Sequence, residues 1–384
     1  MKLDRTFIIV AIAGLFFNLA LGIQTTAHMN FVSTEVGLAA EDIGLLDGIR
    51  EIPGLLTALL ALAALLFTES ILATLCLVLL GVGLYLYGQA ASFTPLIIGT
   101  LVSSIGFHLY GPVQNSILLR TAELNERGRR LGAISAIGAL ATVLATLLVR
   151  FLVPFIGVRS VLTLAAVLAV AGAAVQFLSR QSGERTDIRR GMVFKWQYKS
   201  YYWLTLLAGS RRQINYTFAK MALVLLYGVP LTTMATLMLL ASLLSIATRP
   251  IFGRIIDRLG ETRTLSLNYS ILIGVFLGYA LIPYTAVLYV LFVLDHILLG
   301  FDIGITTHLD KIALREDVSP SLAMGSTINH ITGILIPVVG GLMWAVFSPR
   351  SVFLTGAVIC IISLIQVQYL PDPAQFEKKV PAAV

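Results

Sequence analysis

The chain has 384 residues, 57% of them hydrophobic and 12% charged, with a formal net charge of +7 at pH 7. Globular domains average roughly 45–50% apolar and about 25% charged residues, so a soluble domain of any size is excluded. The basic excess would suit nucleic acid if it were spread over one surface. Instead the lysines and arginines cluster in short stretches between apolar runs, which points to one face of a membrane protein and away from a nucleic-acid partner.

A helix that crosses ~30 Å of hydrocarbon needs about 20 mostly apolar residues. Taken in chain order, twelve segments meet that need: 6–30, 42–67, 71–90, 96–120, 131–153, 160–178, 201–226, 231–252, 264–283, 287–311, 323–347 and 351–370. The first, preceded by Lys2 and Arg5, is too long for the core of a signal peptide and lacks a small-x-small cleavage site, so it is read as retained. Only Thr68-Glu69-Ser70 separates the second span from the third. The longest polar segment, Ser179 to Ser200, divides the spans six and six. The predicted organisation is an N-terminal bundle (1–178), a basic linker (179–200), a C-terminal bundle (201–370) and a tail (371–384). Trp196, Tyr198, Tyr201, Tyr202 and Trp203 would anchor the start of the seventh span at the interface.

With the N-terminus in the cytoplasm, the inner loops hold Lys2, Arg5, Arg127, Arg129, Arg130, the linker's basic residues, Arg254, Arg258, Arg263, Arg315, Lys378 and Lys379. Only Arg159 and Arg350, with Arg150 close by, fall outside. Both termini are therefore expected in the cytoplasm of a multi-pass protein of the cell membrane. The linker suits anionic headgroups. Cys76 and Cys360 fall inside apolar runs, so neither a disulfide framework nor a cysteine metal site is expected.

The two halves look like copies. Gly106-Phe107-His108 in the fourth span matches Gly300-Phe301-Asp302 in the tenth; Leu131-Gly132 matches Met324-Gly325; Ala13-Gly14 matches Ala208-Gly209. Between the eighth and ninth spans runs Gly253-Arg254-Ile255-Ile256-Asp257-Arg258-Leu259-Gly260-Glu261-Thr262-Arg263. On these residues the chain resembles the major facilitator superfamily, whose cytoplasmic signature is a glycine, then Asp-Arg, then a glycine and a basic residue. The resemblance implies an all-α membrane protein of twelve transmembrane helices in two pseudo-symmetric six-helix bundles, normally monomeric. It implies that the Gly253–Gly260 loop, with Asp257 and Arg258, is a conformational lock and not a substrate site. Leu66 to Ser70, the equivalent loop of the first half, keeps only Glu69 of the pattern, and the fifth span lacks the Gly-Pro pair of the family's drug/proton antiporters.

In that family the first, fourth, seventh and tenth helices line the central cavity, and the intramembrane polar residues of this chain fall largely there. A charge at membrane depth is costly unless it is paired or faces water, so each such residue is a functional candidate. The seventh span carries Arg211, Arg212, Gln213, Asn215, Tyr216 and Lys220, with Arg212, Tyr216 and Lys220 recurring every fourth residue on one face. Guanidinium binds carboxylate, phosphate or sulfate, so these arginines suggest an anionic substrate; equally, one arginine could pair with a carboxylate and only hold the bundle together. Asp295 and Asp302, seven residues apart on the tenth span, share a face. Carboxylates shielded from water can take and release protons, the requirement for proton coupling, and Asp302 is preferred because it stands where the other half has His108. A salt bridge from either aspartate to Arg211 or Arg212 is the structural alternative, and proton entry could break such a bridge.

On the second span, Asp47, Arg50 and Glu51 can form a local ion triad, followed by Pro53-Gly54 at a possible kink; this group is read as an external gate or as simple charge neutralisation. Asn18, Gln24, Thr25, Thr26 and His28 on the first span offer neutral hydrogen-bonding groups for a ligand or for neighbouring helices. Asn329, Pro337, Gly340 and Gly341 read mainly as close packing and bending. His108, His296, His308 and His330, with Asp302 and Asp310, invite a metal site, but no two histidines have the i, i+4 spacing that would place them on one helix face, and none is expected. No phosphate loop, nucleophile elbow or zinc-hydrolase spacing is present, so the chain is expected to be no enzyme, to need no cofactor and to draw energy from a gradient. The expected function is proton-coupled secondary transport of a small polar, anionic organic solute by rocker-switch alternating access. Efflux of drug-like or cationic compounds is the alternative, and a transporter-like sensor or scaffold a more distant one.

Overall fold

The computed structural model describes residues 4–57, 66–123, 125–179 and 194–371, and every regular element among them is helical. Most of the predicted linker, the tail after residue 371 and part of the second span lie outside the described residues. In chain order the helices are α1 (Arg5–Asn30), prolonged by a π-helical turn (Phe31–Glu35), α2 (Ala40–Leu55), α3 (Glu69–Gln89), α4 (Phe93–Thr121) and α5 (Arg127–Phe177). They continue with α6 (Lys199–Gln213), two π-helical turns (Ile214–Ala219 and Ala222–Leu226), α7 (Leu231–Leu259) and α8 (Glu261–Leu281). Last come α9 (Thr285–Leu298), a 3-10 turn (Leu299–Asp302), α10 (Ile303–Ile312), α11 (Arg315–Val346) and α12 (Pro349–Gln368).

Nine helical segments among the described residues are long and apolar enough to cross a membrane. The 51-residue α5 is far longer than one crossing requires, and it breaks at Gly157, whose φ of 77° is open to glycine but strained for other residues. That break falls between the predicted fifth and sixth spans. The α2 helix, at 16 described residues, and α6, at 15 before its π turns, are shorter than a full crossing. Large apolar side chains such as Phe155, Val290, Leu342 and Ile98 stand exposed, as helices facing acyl chains require.

The helices form two compact units, Met1–Ile188 with Gly228–Leu239, and Arg189–Tyr227 with Leu240–Val384. In the first unit α1 lies along α5, and α3 packs on both α4 and α5. The α3–α4 contact is backbone to backbone: a Cβ on Gly106 would stand 2.3 Å from the Cys76 carbonyl oxygen and 2.6 Å from the Leu80 nitrogen. Small residues are how helices approach this closely where no hydrophobic force drives them together. In the second unit α6 packs on α11 and α12, and α8 on α12. Here a Cβ on Gly209 would stand 2.6 Å from Thr332 Oγ1 and 2.8 Å from Asn329 Oδ1, so the absent side chain is what lets α11 close on α6. Cys76 and Cys360 are both free thiols, buried in these contacts.

Ion pairs tie the helix ends in the same way in each unit. The start of α3 meets the end of α4 through Glu69 and Arg120 at 3.3 Å, and the start of α8 meets the end of α10 through Glu261 and Lys311 at 2.7 Å. The start of α1 meets the start of α5 through Asp4 and Arg130 at 2.6 Å. The segment leading into α6 meets the start of α11 through Lys195 and Asp317 at 2.7 Å, with the signs exchanged. The hydrogen bonds that the Lys195 ammonium donates to Asp317 hold it above its usual range.

Candidate functional site

The charged centre of the second unit is Arg211, which is fully buried at the end of α6 just before the helix widens into its first π turn. Its Nη2 donates to both carboxylate oxygens of Asp302, at 2.8 and 2.9 Å, and its Nη1 lies 3.7 Å from Asp295 Oδ1. Two aspartates thus share one guanidinium. The tenth span was expected as one continuous helix, but the 3-10 turn that ends at Asp302 interrupts it. That turn sits where Phe252 packs on Phe301 with ring centroids 4.0 Å apart. Irregular helix on both sides of the pair matches the tendency of π and 3-10 segments to occur at functional sites.

Among the described residues, Arg211 Nε and Nη1 have no aligned hydrogen-bond partner, and the buried side chains of Asn215, one turn further along, and Asp295 face each other without a well-aligned bond. Buried polar groups are almost always satisfied, so such a concentration makes this cluster the candidate site of the second unit. Arg212, the next residue, is half-buried and donates to Asn329 Oδ1 at 2.6 Å. The i, i+4 stripe expected from Arg212 through Tyr216 to Lys220 does not share one environment. The π turn intervenes, leaving Tyr216 40% exposed and Lys220 buried with its Nζ 5.8 Å from the Tyr216 ring centroid.

In the first unit the second-span charges form a chain. Asp47 Oδ1 lies 3.9 Å from Arg50 Nη1, Arg50 Nη2 lies 3.5 Å from Glu51 Oε1, and Glu51 Oε2 lies 3.7 Å from His108 Nε2. Ser104 interacts with the other ring nitrogen of His108 at 3.0 Å and also donates to the Arg50 carbonyl. Beyond Asp47 the chain reaches His28, whose Nε2 is 2.9 Å from Oδ1 and whose Nδ1 is 2.7 Å from the Tyr87 hydroxyl. Asn18 donates to the carbonyl of Gly14 on its own helix and lies against Gly138, and Gln24 is buried on α1.

The Gly253–Arg263 segment forms the end of α7, a sharp turn at Gly260 with φ 78°, and the start of α8. Asp257 and Arg258 are exposed on the last turn of α7, apart from the buried charges.

The sequence matches the model of the Major Facilitator Superfamily over residues 6–310. The chain belongs to that superfamily. It is a multi-pass membrane protein with a superfamily transporter fold, and solved superfamily transporters superpose on it along nearly their whole length. A variant of the nucleoside transporter NupG matches at 14% identity with a TM-score of 0.80, covering 96% of this chain and 100% of that one. A bacterial homologue of the human lysosomal transporter Spinster, inward-facing and occupied, matches at 16% identity and a TM-score of 0.77 over 100% of both chains. The peptide transporter POT in complex with sulfate matches at 13% identity and a TM-score of 0.72, covering 96% and 94%. At these identities the likeness concerns the fold alone. No curated protein matches the sequence.

Several residues that complete these clusters were not singled out as site residues from the sequence. Tyr87 and Ser104 lie inside ordinary apolar spans and carry no local signal. Asn329 was read as a packing residue, though its alignment with the glycine of α6 is what brings it to Arg212. His28 was read only as a neutral hydrogen-bonding group, and the structure sets it against a carboxylate.

Proposed function

We propose that the protein is a proton-coupled secondary transporter of a small polar organic anion, working by alternating access in the cell membrane with both termini in the cytoplasm. One observation carries this reading: a fully buried arginine stands between two aspartates, with two of its three nitrogens lacking a hydrogen-bond partner among the described residues. The three charges sum to one negative. A proton delivered to a carboxylate oxygen of Asp302 or Asp295 neutralises that sum and loosens the hold on Arg211. The guanidinium then turns its unsatisfied N–H groups to an anionic solute, with Asn215 offering both a donor and an acceptor beside it. Loss of the proton restores the pair and expels the anion. Arg212, held by Asn329, adds a second positive charge on the adjoining face. The Asp47-Arg50-Glu51 group and the Gly253–Gly260 turn with Asp257 and Arg258 serve as gates in this scheme. The six-and-six bundle boundaries and a monomeric state complete the proposal.

A thermal-stability screen of the purified protein against organic anions and organic cations, at two pH values, tests the reading. The expected result is stabilisation by one anion class that is lost in Arg212→Gln, with its pH dependence abolished in Asp302→Asn. Stabilisation by lipophilic cations that Arg212→Gln leaves unchanged would overturn it in favour of efflux of drug-like compounds.

A further inference from the structure

We propose that the second unit carries a further anion site, a cavity at one end of its bundle that takes a small aromatic carboxylate, with Arg350 as the cation that holds it. The cavity measures about 390 Å³. That lies within the roughly 300–1,000 Å³ of small-molecule sites. It is closed by segments that reach the same end of the unit: the second π turn with Tyr227 after it, the end of α8, the turn into α9, and the start of α12. The α8 helix begins at the Glu261–Lys311 pair and runs 21 residues, so the cavity lies at the opposite end, about 30 Å away along the helix. None of its lining residues belongs to the Arg211 cluster. Ala222, in its wall, follows Arg211 by three helical turns, roughly 15 Å.

Charge selects the occupant. The sequence places two arginines, Arg159 and Arg350, on the side otherwise poor in basic residues, and their surroundings differ. Arg159 is committed to the scaffold of the first unit: its Nη1 donates to the carbonyls of Gly88 and Ala90 at 3.0 and 2.9 Å, and its Nε lies 3.8 Å from Glu35. Arg350 stands exposed on the first turn of α12 and makes no hydrogen bond or ion pair among the described residues. No carboxylate lines the cavity with it. The start of α12 adds to the same sign, because Ser348 gives it no side-chain cap and the positive end of the helix dipole lies there. An organic cation would meet only like charge. The rest of the wall is flat and apolar. The rings of Tyr279 and Phe353 stack in it, with centroids 5.0 Å apart and planes 20° from parallel, and Leu288 and Pro283 extend the surface. Aromatic rings bury large area against such a wall in offset stacks. The matching ligand therefore has one anionic group for Arg350 and one ring for Tyr279 and Phe353.

The test is direct binding and does not depend on transport. Full-length protein in phosphatidylcholine nanodiscs is titrated calorimetrically with phenylpropionate, and with phenylpropanol and phenylpropylamine as its neutral and cationic counterparts. Every titration is run in the wild type and in Arg212→Gln. That variant removes the anion binding of the proposed function and should keep the binding described here, so the two readings fail separately. In the Arg212→Gln background the carboxylate is expected to bind about tenfold or more tightly than either counterpart. Adding Arg350→Gln should remove that preference and leave the phenylpropanol affinity unchanged, while Arg350→Lys, which keeps the charge, should retain part of it. Because Arg350 is exposed, neither substitution is expected to disturb folding. No preference for the carboxylate, or a preference that survives Arg350→Gln, overturns the proposal. Loss of the Arg350-dependent binding when phosphatidylglycerol is added to the nanodiscs would also overturn it, by assigning the arginine to a lipid phosphate.

Discussion

The two units repeat their ends and diverge in their middles. At the ends, acid and base join the third helix of each half to the fourth, Glu69 to Arg120 and Glu261 to Lys311, and a second ion pair joins the first to the fifth, with its polarity reversed between halves. In the middles, the first unit arranges two histidines and two carboxylates around Arg50, whereas the second arranges two aspartates around Arg211. Where sequence repeats match, as at Gly106-Phe107-His108 and Gly300-Phe301-Asp302, the glycine admits helix backbone in one half and the Phe252 ring in the other, and the ionisable residue has changed from base to acid. The lesson is that the ends define the scaffold and the interior defines the chemistry, so substitutions in the two places should differ in kind.

The largest expected effect comes from the second interior. Arg211→Leu leaves the buried Asp295 and the half-buried Asp302 without their cation and should destabilise the protein by about 3–5 kcal/mol, read as a fall in the thermal midpoint. Adding Asp302→Asn should recover part of that loss. Equal stability of the single and double variants would show that the pair is not what the arginine balances. Next, Gly209→Val drives a side chain into Thr332 and Asn329. It should cost about 1–3 kcal/mol through overpacking and, on the proposed anion reading, abolish the stabilisation that anions give.

At the ends the effects are smaller, and the two halves should be unequal. Glu69 is 3% exposed and also accepts a 2.6 Å hydrogen bond from Ser116, so Glu69→Gln should cost about 1–3 kcal/mol. Glu261→Gln, whose partner Lys311 has a side chain 48% exposed, should cost about 1 kcal/mol or less. The same denaturation series reads both, and a reversed ranking would break the comparison between halves. The smallest effect is expected for Lys195→Met. Because its folded-state titration is raised, the stabilisation is fully present below the ordinary lysine range and is lost only as pH rises through the raised value. The difference between wild type and Lys195→Met should therefore stay constant across neutral pH and shrink only in alkali. A difference that changes between about pH 6 and 8 would assign the effect to another group.

Much of the fold was legible because the bilayer imposes a length and a composition on each span, and both are visible in one sequence. The break in α5 was legible for the same reason: Pro154 to Arg159 interrupts an apolar run too long for one crossing. Charges at membrane depth were equally plain. Their partners were not. Arg211 and Arg212 are adjacent and chemically identical in sequence, yet one lies buried on Asp302 and the other half-buried on Asn329, a choice made by helix rotation and by the space at Gly209. The π turns around Tyr216 and Lys220 have no local signature, because an i to i+5 hydrogen bond places no demand on residue type. His28 and Asp47 lie on different helices, and nothing in either segment announces that they meet.

The burial of both cysteines has a practical consequence. Cys76 is 1% exposed and Cys360 is fully covered, and the thiolate, not the buried thiol, is what maleimides and spin labels attack. The native protein is therefore a quiet background for site-directed labelling. A reporter cysteine placed at an exposed position in each unit, Tyr85 in one and Leu281 in the other, would carry its probe alone. The distribution of distances between two such probes, recorded with and without solute, would count the conformations the transporter visits.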